Sequence, residues 1–86
     1  MTKSEINRQI KETERLGASI SRRINKISED RDFLVETMIS NPYPAMSEHK
    51  ALLQEWDEEI ERLEQDRQYL RTRWSQLMNM LASHKQ

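Results

Sequence analysis

The sequence predicts an all-α chain folded as a long antiparallel helical hairpin, coiled-coil-like and self-associating into a helical bundle. Three observations predict it. Apolar residues recur at alternating steps of four and three along both halves, and a proline-bearing break separates the halves. The composition agrees: 34% of the 86 residues are charged, 35% are hydrophobic, and only one is glycine, which is too polar and too poor in turn residues for an ordinary globular core. Regular spacing of the apolar side chains separates such a chain from a disordered one of equal polarity.

The first helix is expected over residues 3–40. Thr2 followed by Glu5 has the form of a capping box, in which each side chain satisfies a backbone amide of the first turn. From Ile6 the seam visits Ile10, Thr13, Gly17, Ile20, Ile24, Ile27, Arg31, Leu34 and Met38. Ser40-Asn41-Pro42-Tyr43-Pro44 ends the helix, because Asn tolerates a left-handed cap, Pro42 cannot donate the next hydrogen bond, and Pro44 restricts Tyr43. The turn is expected over residues 41–46.

The second helix is expected over residues 47–83, with Ser47 as its cap and Glu48 in its first turn. Its seam visits Leu53, Trp56, Ile60, Leu63, Arg67, Leu70, Trp74, Leu77 and Leu81. A short connection forces the two helices to pack antiparallel, each roughly 50 Å long.

Pairing positions whose numbers sum to about 87 sets Arg22, Arg23 and Lys26 opposite Glu59, Glu61, Glu64 and Asp66, and Glu14 near Arg71 and Arg73. It also sets the small residues Thr13 and Gly17 opposite Trp74 and Leu70, a shallow place for a large ring. On that packing Gly17→Leu lowers the melting temperature.

Apolar residues outside the seam point to function. Leu16, Val35, Leu52, Met78 and Met80 flank it, with Phe33, Ile39, Tyr43 and Tyr69 beyond them. They widen the apolar face past what one partner helix covers, and a widened face is covered by further helices, from a second copy or from another protein. These nine residues are the expected partner-binding surface of an adaptor, assembly chaperone or small regulatory protein. Methionine suits a surface that repacks against its partners.

Arg31 and Arg67 occupy seam positions where apolar residues are expected. They either specify register and oligomeric state, or snorkel so that the guanidinium reaches an acid such as Asp57 or Glu64. The acidic run Glu55, Asp57, Glu58, Glu59, Glu61, Glu64 and Asp66 carries a second reading, that of a phage-type inhibitor using an acidic face against a host enzyme. A solvated face that answers the basic residues of the first helix explains the same run.

The formal charge of −1 gives no global attraction to nucleic acid or anionic membranes. The basic patch Arg15, Arg22, Arg23 and Lys26 lacks interleaved aromatic residues, so nucleic-acid binding is not expected. His49 and His84 lie far apart, each without a second ligand one turn away, and cysteine is absent, so no metal site, cofactor or thiol chemistry is expected. No catalytic residues and no small-molecule substrate are expected either. An all-helical enzyme of the chorismate-mutase type would need arginines in a particular arrangement, which Arg8, Arg15 and Arg31 do not reproduce. With a polar stretch from Thr2 to Gln9 and no apolar run long enough for a bilayer, the expectation is a cytoplasmic protein with no membrane partner.

Overall fold

A computed structural model describes residues 1–40 and 46–84, which form two α-helices: α1 (Lys3–Ser40) and α2 (Met46–Ser83). They run antiparallel in contact with each other, an all-α helical hairpin. The molecule is a rod of 67 × 15 × 13 Å with a radius of gyration of 19.2 Å, against about 12 Å for a compact chain of this length. The expected turn, with Pro42, Tyr43 and Pro44, lies outside the described residues over 41–45.

Thr2 caps α1: the Glu5 amide donates to Thr2 Oγ1 at 3.1 Å and the Ile6 amide to the Thr2 carbonyl at 3.0 Å. The reciprocal half of the expected capping box, from the Glu5 carboxylate back to Thr2, does not form among the described residues. Ser47, the second expected cap, lies inside the first turn of α2, which begins at Met46. At the far end of α2 the His84 amide closes on the Leu81 carbonyl at 3.2 Å, a tightened last turn.

Every residue of the two predicted seams is buried or half-buried. Full burial is confined to a few of them. Ile6, Ile10 and Leu77 form a cluster at the open end of the hairpin, with Trp74 and Leu81 packed against it, and Ile24 and Ile27 are buried midway. Thr13 is buried too, its hydroxyl donating to the Gln9 carbonyl at 2.7 Å. Towards the turn, Leu34, Met38, Leu53, Trp56, Ile60 and Leu63 are all only half-buried. Two helices alone therefore leave most of the seam partly wet. The accessible surface of 6729 Å² exceeds what a compact protein of 10.4 kDa exposes, which is about 5,400 Å².

Gly17 corrects one expectation. A Cβ built at Gly17 meets nothing within 4 Å, so neither Leu70 nor Trp74 lies on it. Space is left over this glycine rather than filled by a ring.

Candidate functional site: the two flanks of the hairpin

The pairing rule fixes which residues stand level with one another, and polar contacts then define two distinct sides of the rod. On one side Arg23 donates to Glu59 Oε1 from Nε at 3.2 Å and from Nη2 at 2.9 Å, and Arg73 Nη2 donates to Gln9 Oε1 at 2.9 Å. On the other, Arg31 Nε donates to Asp57 Oδ1 at 2.6 Å, Arg67 Nη1 reaches Ser21 Oγ at 3.4 Å, and the Trp74 indole donates to Glu14 Oε2 at 3.2 Å.

Both seam arginines thus turn outward to polar partners, Arg31 to one of the expected acids and Arg67 to a serine rather than an acid. The hydrogen bond and the charge of Asp57 push the Arg31 pKa above its ordinary value. Glu14 takes the Trp74 indole instead of Arg71 or Arg73. Lys26 pairs along its own helix with Asp30 at 3.2 Å instead of reaching α2.

The apolar residues outside the seam divide between the two sides by helical periodicity. Leu16, Phe33, Leu52, Tyr69 and Met80 share the side of the Arg23–Glu59 pair; Val35, Ile39 and Met78 share the side of Arg31–Asp57. Phe33, Tyr69 and Ile39 are 72%, 70% and 75% exposed, beyond what scattered seam residues need, while Val35 and Leu52 are half-buried. Tyr43 lies outside the described residues. The side of Arg31 also carries an open groove of about 530 Å³ over Gly17, walled by Thr13, Leu70, Trp74, Ser21 and Arg67.

Of the acidic run, Glu59 and Asp57 are held by Arg23 and Arg31, and Glu58 accepts a hydrogen bond from Gln54 at 3.3 Å. Glu55, Glu61 and Glu64 are exposed and make no ion pair among the described residues. Asp66 is likewise exposed.

A further feature was readable in the sequence but is hidden by the near-neutral total. Residues 27–66 hold twelve of the fifteen acidic side chains and three of the fourteen basic ones. Among the described residues the hairpin gathers that acidic segment in the turn-proximal part of the rod and brings the two basic stretches, 1–26 and 67–84, together at the open end. The rod is electrically polar along its length.

His49 is half-buried near the start of α2 and His84 is exposed at its end. Among the described residues no group of three or more His, Asp or Glu side chains could hold a metal ion, and no helix is long and apolar enough to cross a membrane. No protein-family model matches the chain, and none of the curated proteins or solved structures compared with it is significantly similar.

Proposed function

We propose that this chain is a protein–protein interaction module, an adaptor, assembly chaperone or small regulatory protein, whose apolar flanks are covered by partner helices, those of a second copy included. The observation that carries this reading is the exposure of Leu16, Phe33, Ile39, Tyr69, Met78 and Met80 on a rod whose seam is itself mostly half-buried. The exposed part of these side chains adds nothing to a free hairpin, and it gains roughly 25 cal/mol per Å² when a partner removes it from water. The setting proposed is the cytoplasm, and no catalytic step is part of the reading.

A second reading rests on Glu55, Glu61 and Glu64, which are exposed and free of ion pairs among the described residues. In it the acidic side of α2 inhibits a host enzyme that binds polyanions.

Affinity purification of the tagged protein from its own source, with identification of what accompanies it, tests both. A partner lost with Phe33→Ala or Met78→Ala but kept when Glu55, Glu61 and Glu64 become glutamine supports the interaction module. A partner lost only on neutralising those acids, in a salt-sensitive way, transfers the function to the acidic side. If neither set of variants changes what is captured, both readings fail.

A further inference from the structure

We propose that the side of the rod carrying the Arg23–Glu59 pair binds a second copy of this chain, antiparallel, about a two-fold axis passing close to that pair. The inference deepens the interaction-module reading by naming the occupant of one side and its direction.

Two apolar patches lie on this side. Leu16 stands level with Tyr69 across the hairpin, and Phe33 stands level with Leu52, by the same pairing offset. Leu16, Tyr69 and Phe33 are 42%, 70% and 72% exposed. The patches are seventeen residues apart along α1, which is about 25 Å of helix. Arg23 and Glu59 sit midway between them, joined at 2.9 Å.

A surface that binds its own copy about a two-fold axis must be self-complementary, because whatever one subunit presents at a point the other presents at the reflected point. Rotation about the Arg23–Glu59 level sets Phe33 and Leu52 of each copy on Leu16 and Tyr69 of the other. Both apolar patches are then covered at once.

Charge selects the direction. The open end of the rod is basic and the turn-proximal part acidic, so antiparallel copies bring opposite ends together while parallel copies bring like ends together. At physiological salt the field reaches only about 8 Å, so this preference acts at contact distance. Two places on this side run against the pattern: Asp66, a turn from Tyr69, faces Asp30 and Glu55 of the second copy, and at the axis Arg23 faces Lys26 of the second copy, these cations being paired within their own chain, Arg23 with Glu59 and Lys26 with Asp30. The side bearing Gly17, Trp74, Met78 and Ile39 is left uncovered by this contact.

The chain has no cysteine, so single introduced cysteines report unambiguously on neighbours. Light scattering on the unmodified protein at tens of micromolar is expected to give twice the chain mass, and a monomer at that concentration overturns the inference. With a short bismaleimide, Leu16→Cys chains alone and Phe33→Cys chains alone are expected to stay mostly uncrosslinked, whereas an equimolar mixture crosslinks strongly and Lys26→Cys, close to the axis, crosslinks to itself. Efficient crosslinking of Leu16→Cys to itself denotes parallel copies and overturns the inference. Asp66→Lys, a surface change that leaves the helix intact, is expected to lower the dimer dissociation constant several-fold; a weaker dimer contradicts the proposed contact. Circular dichroism of each variant separates lost pairing from lost folding. A monomeric result leaves the interaction-module reading standing, since that is decided by the captured partner and its loss in Phe33→Ala or Met78→Ala.

Discussion

The Trp74 indole nitrogen donates to the Glu14 carboxylate across the hairpin at 3.2 Å, and this bond holds the ring at the wall of a groove instead of over Gly17. One turn along α1 the glycine is left with nothing within 4 Å of where a Cβ would stand. A helical glycine in open space costs conformational entropy without serving any close approach.

Gly17→Ala is therefore expected to stabilise the hairpin by about 1 kcal/mol. For a chain of this size that corresponds to a rise of about 4–8 °C in melting temperature, measurable by circular dichroism. Gly17→Leu, whose side chain extends into the groove, is expected at least to match the parent protein. A fall in melting temperature for the alanine variant would show that Trp74 does lie over the glycine in solution.

Arg31 and Asp57 form a two-pronged contact, one bond at 2.6 Å and a longer one at 3.4 Å, with both side chains substantially exposed. Such a pair contributes little and is screened by salt. Arg31→Leu completes the apolar seam next to Leu34 and Ile27, so the melting temperature is expected to stay level or rise. In a double-mutant cycle with Asp57→Ala, the coupling is expected to shrink steadily towards 1 M salt, a concentration at which screening acts within about 3 Å. A coupling indifferent to salt would mean the pair is more enclosed than its exposure indicates.

How much was legible from residues alone differs by feature. The seams were, because a period sustained from Ile6 to Met38 and from Leu53 to Leu81 already specifies which stripe of each helix turns inward. The level of each residue was as well, and it led directly to Arg23 opposite Glu59. Side was the missing dimension: Glu14 and Arg73 stand near the same level, yet helical phase puts them on opposite flanks, so Arg73 meets Gln9 and Glu14 meets Trp74. Matching Gly17 to a large ring failed for a different reason, since size complementarity needs the distance between the helix axes, which no spacing encodes. The electrical polarity was visible as a count but cancels in the total, and it acquires meaning only once the hairpin brings residues 1–26 beside 67–84.

Stability should be unequal along the rod, because the fully buried side chains Ile6 and Leu77 both lie at the open end whereas Leu53, near the turn, is only half-buried. Leu77→Ala removes a side chain that has 0% exposure and is expected to cost about 2–5 kcal/mol, including the cavity it leaves. Against a total of roughly 5–15 kcal/mol for a small protein that is severe, and the variant is expected to be partly unfolded at 37 °C. Leu53→Ala, already in partial contact with water, is expected to cost less than half as much. Thr2→Ala acts on the same end as Leu77 by another route: losing the cap costs about 1 kcal/mol, and the fraying it permits begins one turn from Ile6. Hydrogen exchange on the parent protein, diluted until light scattering gives the mass of one chain, should then show the slowest amides around Ile10, Ile24 and Leu77 and faster ones from Leu34 to Ser40 and from Ser47 to Trp56. Thr2→Ala should speed exchange near Ile6 first and leave the turn-proximal amides unchanged. Uniform protection from end to end, or equal losses for Leu77→Ala and Leu53→Ala, would mean that the turn-proximal seam is covered in solution by something beyond the hairpin itself, and adding the two-fold partner contacts at Phe33 and Leu52 would be the first place to look for it.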